Sequence, residues 1–535
     1  MQLLRCRTRC SDSTKFTVIT IARTTATMGD NSAADPRLIE AQLDFRTFID
    51  VLRDDGDLAD IERKVDPHLE LGAIVRRVSE TNNKAPLFHN VKGTTKDGLW
   101  RAFGNAASLS GHGPDKYGRV ARTFGLPRNA TWKEICARTQ LAKSQSPLPP
   151  NILATGPCKE NKILGADNID LHSLTVPKLH QEDGGKYIQT YGVHMLQTPD
   201  KSWTNWSIFR GMVHDRNHIV AQVNPRQHNY VVKEKWAALG ETRVPWVLAF
   251  GIPPAATLAA AMPIPEGVSE GEYVGALVGR PLDVVKAELS DILVPANSEI
   301  VFEGYMSLED KAIEGPFGDY LGYGFEDDKR MQPLFCVEAI TYRNNPIFPV
   351  SVPGKITDES HTTSALAAPE ILTFLKAKGY PIKDANAPLE TMATWCALQV
   401  DGPALWARKT TPAEFCREIG ELLYSQKCSM LVNRFILIGD DVDVYDWQEL
   451  MWAFVTRCRP GRDEYHFDDK PALPLTPYQS HGGGDPTKGG KSLSDCLFKM
   501  EYEGPPNFLK TDFETSYPPG VKNKVVDTWS AMGFN

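Results

Sequence analysis

From Tyr187 the chain changes texture, and that change limits what it can fold into more than any other feature. The run "KYIQTYGVHMLQTPDKSWTNWSIFRGMVHDRNHIVAQV" is rich in β-branched and aromatic residues, broken by Pro-Asp and Asp-Arg-Asn turns. Such a pattern predicts a hairpin-like β meander. "VPWVLAFGIPPAATLAAAMPIP" then predicts an apolar strand followed by the Pro-capped start of a buried helix. "SEIVFEGYMSLED" and "LFCVEAITYRNNPIFPVSV" predict further strands, the second with a turn at Asn344-Asn345.

Helical periodicity flanks this middle on both sides. Before it, "DFRTFIDVLRDDGDLADIERKVDPHLELGAIVRRVSE" reads helix, short strand, helix. Phe45, Phe48, Ile49 and Leu52 recur at helical spacing, and Gly56 closes the first helix. A Pro-rich stretch, "SQSPLPPNILATGPCKEN", reads as a connector. After the middle, "APEILTFLKAKGY", "TWCALQVD", "PAEFCREIGELLYSQ" and "RFILIGDDVDVYD" alternate helix and strand. The chain ends in "NKVVDTWSAMGF", which predicts a short helix with Val525, Val526, Trp529 and Met532 on one side. So short a helix needs a surface to dock on, such as another subunit.

Composition narrows the function. At 535 residues, 41% hydrophobic and 24% charged, the chain supports more than one domain and a large core. A formal net charge of -8 gives no electrostatic reason to expect nucleic acid or a membrane surface as partner. No apolar run reaches the ~18 residues of a membrane span. The ten cysteines form no C-x-x-C pair, which argues against a zinc knuckle and for reduced thiols in the cytoplasm. The first 30 residues are rich in Arg, Ser and Thr, with Asp12 the sole acid before Asp30. They read as a disordered tail, as the lead to a true start at Met28, or as a mitochondrial presequence.

Phosphate-loop, nucleophile-elbow, zincin and dinucleotide-binding motifs are all missing. Two Gly-rich stretches, "GHGPDKYGR" and "SHGGGDPTKGGKS", open no clean helix after a strand, so they read as loops. In "EGPFGDY", Glu314 and Asp319 flank a Gly-Pro-Phe-Gly corner. They read either as a solvated surface turn or as an acid/base pair whose ionisation is split by environment. The Asn, His and Glu residues scattered over Thr204 to His218, "PRQH" ending at His228, and "PIPEGVSEGEYVGA" with Glu266 and Glu270 would suit Mn²⁺ or Mg²⁺, although their spacing is irregular and a lone His on a strand is more often structural. Asn205 and Arg210 are five apart, so a regular strand would send them to opposite faces.

Seven ordered segments go further. "DGGKYIQTYGVHMLQTPDKSWTNWSIFRGMVHDRNH", "AFGIPPA", "AAMPIPEGVSEGEYVGALVG", "EGPFGDYLGY", "ITYRNNPIFP", "TRCRPGRDE" and "GGKSLSD" resemble the UbiD family of decarboxylases, within it the fungal ferulic (phenylacrylic) acid branch. The resemblance runs from about Phe45 to "WSAMGF". It implies an α/β (α+β) fold: a tail over 1–40, a flavin-binding domain with a split β-barrel over 41–350, an α/β domain over 351–505 serving oligomerisation, and a docking helix within 506–535.

The resemblance also implies prenylated FMN, supplied by a flavin prenyltransferase, with Mn²⁺ (or Mg²⁺) on its phosphate and K⁺ nearby. Carried over by position, Asn205, His228 and Glu270 match the metal ligands. Asn205, Trp206, Ser207, Ile208, Phe209 and Arg210, with Gln227, His228, Glu270 and Lys427, match the cofactor contacts. Trp206, Ala259, Ala260, Met262, Glu270, Arg457 and Asp495 match the potassium set, with Ala260 where relatives often have Ser. Arg210, Glu314 and Asp319 match an arginine and two acids that face the substrate. Arg210 would orient the carboxylate, Glu314 would hold Arg210, and Asp319 would deliver the proton that replaces CO₂, the substrate being held in a covalent adduct with the flavin. Many family members share Asp at this last position, while close fungal relatives carry Glu.

The implied activity is reversible, non-oxidative decarboxylation of aromatic or α,β-unsaturated acids of ferulic, coumaric or cinnamic type, in a homodimer or larger assembly. Asn224, Tyr320, Ser364, Leu473 and Leu475 would surround the ring. Two alternatives stand beside this reading: a decarboxylase of hydroxylated or heteroaromatic acids in secondary metabolism, and a flavin-binding scaffold without catalysis.

Overall fold

The strand Arg243–Phe250 shows how the middle of the chain is built. Val247 and Ala249 enter one hydrophobic cluster, while Val244, Trp246, Leu248 and Phe250 enter another. Alternation buries both faces of this strand, so its sequence reads as a continuous apolar run. The computed structural model describes residues 35–94, 99–225, 227–355 and 357–534. The arginine-rich start of the chain, with its possible presequence, lies outside them.

Arg243–Phe250 sits inside a nine-stranded antiparallel sheet. In space its order runs Tyr187–Gln189, Gly211–Val213, His218–Ala221, Arg330–Tyr342, Ile300–Glu314, Arg243–Phe250, Val193–Gln197, Thr204–Ser207, with Asn161–Leu164 added on Arg330–Tyr342. The sheet is therefore not a simple meander. The hairpin of Val193–Gln197 with Thr204–Ser207 stands at one end, and Gly211–Val213 with His218–Ala221 stands near the other. Only Ile208, Phe209 and Arg210 separate Thr204–Ser207 from Gly211–Val213, so three residues connect the two ends of a half-barrel.

Three smaller sheets accompany it among the described residues. Leu58–Ile61, Ala85–Phe88 and Arg101–Gly104 are completed by Ile347–Val350, which arrives from beyond the large sheet. The helix Phe45–Asp54 packs here through Phe45, Phe48, Ile49 and Leu52, and Gly56 follows it at φ 71°. Toward the C-terminus, Ile382–Asn386, Trp395–Val400, Arg434–Ile438, Ser492–Asp495 and Glu464–His466 form a five-stranded sheet, parallel at its centre. The Pro-rich connector holds one short strand, Asn151–Leu153, paired in parallel with Asp283–Lys286. Pattern alone gave no sign of it, because three residues cannot display a period. One hydrophobic cluster draws on the middle and C-terminal layers together, and from Pro36 onward the chain forms one compact unit.

The C-terminal helix spans Pro519–Thr528, starting earlier than its periodicity suggests, with Pro519 at its first position. Val526, Trp529, Met532 and Phe534 stay exposed. Among the described residues no helix is long and apolar enough to cross a membrane.

Candidate active site

The three-residue link between the sheet ends resolves the problem of Asn205 and Arg210. Strand alternation stops at Ser207, the chain turns through Ile208 to Arg210, and both side chains reach one cavity. His194, a residue no motif singled out, fixes that turn. Its Nδ1 accepts from Trp246 Nε1 at 2.8 Å, so its Nε2–H donates to the Phe209 carbonyl at 3.0 Å. The imidazole also stacks on the Phe209 ring at 3.6 Å and 8°. Complete burial pushes its pKa down to about 3, keeping it neutral and suited to both contacts.

Arg210 then meets the Glu314 corner. Glu314 ends the strand Ile300–Glu314 and is 1% exposed. Its carboxylate accepts from Arg210 Nε at 2.8 Å, from Arg210 Nη2 at 3.1 Å and from Tyr187 Oη at 2.7 Å. Burial and then Glu314 hold the Tyr187 phenol above its ordinary pKa, so it stays a donor. Burial opposes the charge of Arg210, but Glu314 outweighs it, and the net shift is upward. The guanidinium also lies over the Phe317 ring, 5.2 Å from its centroid.

The chain then turns at Gly315, φ 95°, where a Cβ would strike the Asp328 carbonyl. Asp183 holds the far side of this corner. Its carboxylate accepts from Gly318 N at 3.3 Å and from His180 N at 2.9 Å, while His180 Nε2 contacts the Pro353 carbonyl at 3.1 Å. Asp319 follows, with Oδ2 at 3.6 Å from Arg210 Nη1 and Oδ1 buried without a partner. Burial raises its pKa, and Arg210 only partly reverses the shift. The two carboxyls across the corner thus differ sharply: Glu314 accepts three side-chain hydrogen bonds, while Asp319 meets Arg210 only at 3.6 Å and leaves Oδ1 unbonded. Glu314 also stands behind Arg210 rather than on the cavity wall, correcting the expectation that both acids face the substrate.

The cavity holds about 750 Å³, within the ~300–1,000 Å³ usual for small-molecule sites. Every residue expected to touch a cofactor lines it: Asn205 through Arg210, Gln227, His228, Glu270 and Lys427. So do Asn224, Tyr320, Ser364, Leu473 and Leu475, the expected ring pocket. Glu270 opens the helix Glu270–Val278, accepting from Trp206 N at 2.8 Å and Asn205 Nδ2 at 3.1 Å. Burial raises its pKa to about 8, burial also lowers Lys427 to about 8, and each favours the charged form of the other. Burial, then Lys427, pushes His228 down to about 4, leaving a neutral imidazole.

Among the described residues no three His, Cys, Asp or Glu side chains converge as metal ligands. Asn205, His228 and Glu270 offer two of those types and an amide, a donor set that fits a divalent ion through oxygen and one imidazole. The potassium set does not gather as one group at the cavity. Trp206, Ala260, Met262 and Glu270 line it, whereas Ala259 is buried in the helix Pro254–Ala261. Arg457 instead pairs with both oxygens of Asp441, at 3.0 and 2.6 Å, and Asp495 accepts from Tyr502 Oη at 2.9 Å and Leu497 N at 3.0 Å. Neither lines the cavity. Glu359, absent from the sequence reading, also lines the cavity. Burial raises it to about 7, and Ser351 Oγ donates to it at 2.7 Å.

The chain matches three successive domains of 3-octaprenyl-4-hydroxybenzoate carboxy-lyase: the N-terminal domain over 49–139, the Rift-related domain over 151–356 and the C-terminal domain over 360–496. It is 45% identical to ferulic acid decarboxylase 1 of Saccharomyces cerevisiae over 503 residues, 93% of this chain and 100% of the relative. It is 39% identical to pyrrole-2-carboxylic acid decarboxylase of Pseudomonas aeruginosa, covering 92% and 98%. Vanillic acid decarboxylase of Sedimentibacter hydroxybenzoicus, in its closed form, superposes with a TM-score of 0.78 at 25% identity, covering 92% and 99%. The UbiD-class enzyme HmfF of Pelotomaculum thermopropionicum, solved in an evolved dimeric form with prFMN, shares the fold at a TM-score of 0.71 and 22% identity, covering 90% and 99%. With the half-barrel and its cavity, these similarities establish that the chain belongs to the UbiD family of carboxy-lyases.

Proposed function

We propose that this carboxy-lyase uses prenylated FMN to decarboxylate an aryl or α,β-unsaturated acid that carries a polar ring substituent. One observation carries the reading: Arg210 is held by Glu314 on one side and faces Asp319 on the other, whose Oδ2 lies 3.6 Å from Nη1 and whose buried Oδ1 has no hydrogen-bond partner. Lys427 would take the cofactor's phosphate, Asn205, His228 and Glu270 would hold a divalent ion beside it, and Ser207 to Arg210 would flank the ring system. Prenylated FMN would supply the electron sink for the charge left when CO₂ departs.

The chain's own groups do the rest. Arg210 binds the substrate carboxylate in a fixed orientation, its fork already aligned by Glu314. Phe209 and Phe317 help exclude water around it. Asp319, held protonated by burial, donates the proton that takes the place of CO₂. The intact trio weighs against a non-catalytic scaffold.

Asn224, Tyr320 and Ser364 favour hydroxyaryl or heteroaryl acids over a plain phenyl ring, because their side-chain polar groups have no hydrogen-bond partner among the described residues. The exposed Val526 and Met532 fit a second copy as partner. Truncation before Val521 is expected to lower the mass in light scattering, and an unchanged mass would reject that role.

Co-expression with a flavin prenyltransferase tests the central reading. The purified protein should carry a bound cofactor with the mass of prenylated FMN and release CO₂ from ferulic or coumaric acid. Protein holding plain FMN, or none, with no CO₂ released after such loading, would overturn it.

A further inference from the structure

The geometry of the Gly-rich stretch "SHGGGDPTKGGKS" shows a structural use. Gly483, Gly484, Gly489 and Gly490 all have positive φ, and Gln479 Nε2 gathers the loop by donating to the Asp485 and Lys488 carbonyls at 3.0 and 2.8 Å. The loop runs beside residues 470–472, with Ala472 N to Thr487 O at 2.8 Å and Gly489 N to Lys470 O at 2.9 Å. It then delivers Lys491 into the interior, 2% exposed, at the start of the strand Ser492–Asp495.

Lys491 Nζ donates to the carbonyls of Met430 at 2.9 Å and Val432 at 2.7 Å, and to Asn433 Oδ1 at 3.1 Å. Asn433 Nδ2 in turn donates to Thr476 Oγ1 at 3.1 Å. Met430, Val432, Leu473 and Leu475 all line the cavity, so the ammonium fixes one segment of its wall directly and reaches the second through Asn433. Among the described residues no carboxylate pairs with Lys491, and burial lowers its pKa to about 7. An ammonium buried without a counter-charge is unfavourable, and a methionine would fill the same volume without that cost. Its three donors matched to three acceptors are what a lysine adds.

We propose that Lys491 is a positioning residue that sets the shape of the ring pocket by bracing residues 430–433 against 473–476. The idea rests on the reading above that the acid's ring binds beside Leu473 and Leu475. Removing the brace should let both segments move, so that ring binding weakens while the proton-transfer machinery at Arg210 and Asp319 is untouched.

Lys491→Met in the full-length protein tests this in two ways. Hydrogen exchange on the purified protein should quicken at 430–433 and at 472–476, with the distant helix Phe45–Asp54 unchanged. On the loaded enzyme, KM for aryl acids should rise about tenfold with kcat within about threefold, and discrimination by ring size should flatten. Combined with Leu473→Ala, the losses in kcat/KM should be less than additive. Should Lys491→Met fail to fold, Thr476→Val cuts the same chain one link later and should show the same pattern at smaller size. Unchanged exchange at 472–476, acceleration spread over the whole protein, or additive losses would reduce Lys491 to an ordinary stabilising residue. A wild type that turns over no aryl acid would reject the functional reading, while the exchange result would still judge the brace.

Discussion

Arg210 and Leu473 line the same cavity, yet they are held there by different means. Arg210 lies in the link between two strands of one sheet, and charged or polar side chains fix it: Glu314 by two bonds, Tyr187 behind Glu314, and His194 on the adjoining backbone. Leu473 sits on a loop, its own side chain offering nothing to bond, and neighbouring backbone contacts with the Lys491–Asn433–Thr476 chain hold it. The difference separates two tasks. Reaction geometry rests on interlocked side chains, where small displacements are costly. Ring selection rests on loops whose apolar residues can change without disturbing the charges. Substitutions on the first wall should therefore act on the chemical step, and those on the second on choice of substrate.

The largest effect is expected at Asp319. Asp319→Asn should retain cofactor and fold but lose turnover by about 10³-fold, within the range for removing a general acid. CO₂ release measured beside cofactor content checks this, and near-normal turnover would remove Asp319 from the role. The pH dependence follows from the same group. Burial raises the Asp319 pKa, and the protonated form is the active one, so turnover should fall as pH rises through that raised value. For stability, the folded state holds this proton more tightly than the unfolded chain does. Asp319 therefore costs stability increasingly as pH climbs from the ordinary carboxylate range to the raised value. Thermal midpoints of Asp319→Asn should accordingly depend less on pH over that interval than those of the wild type.

A smaller effect is expected one shell behind. Glu314→Gln breaks the paired charge of Arg210 and should lower kcat/KM by about 10²-fold. Tyr187→Phe removes one of three donors to Glu314 and leaves the Arg210 pair in place. About tenfold is the expected loss, from one hydrogen bond worth roughly 1–1.5 kcal/mol. Equal losses in the two variants would mean that the wall works as one unit and that its bonds cannot be ranked.

The lining of both walls was legible in the sequence through the family resemblance, while the residues that brace it were not. Glu314 and Asp319 could be paired because five residues and a Gly-Pro corner bring them together locally. Asn205 and Arg210 resisted, because their meeting depends on a link between opposite ends of a sheet whose spatial order differs from its chain order. His194, Tyr187 and Asp183 act on the site from behind, and a polar residue on a strand carries no local mark of that. Lys491 sat in a quoted Gly-rich run, yet its acceptors lie some 60 positions away. Arg457 and Asp495 of the potassium set do not line the cavity, and chain position does not tell which layer will carry them.

The smallest effect should appear on the second wall, in the choice of acid. The side chains of Asn224, Tyr320 and Ser364 present polar groups to the cavity without a partner among the described residues. Leu473 and Leu475 beside them are indifferent to ring polarity. A buried polar group left unpaired costs about 1–3 kcal/mol, which a ring hydroxyl or heteroatom on the substrate would relieve. Water that follows the substrate into the pocket would recover part of that difference. Hydroxyaryl acids such as ferulic or coumaric acid should therefore exceed unsubstituted cinnamate in kcat/KM by about threefold to tenfold, a modest share of the full penalty. Ser364→Ala and Asn224→Leu should each shrink this preference by improving cinnamate, with the proton step unaffected. A panel of acids measured on the wild type and both variants decides it. If cinnamate proves the best substrate of the wild type, the polar groups are satisfied by water or by one another, and the second wall selects by shape alone.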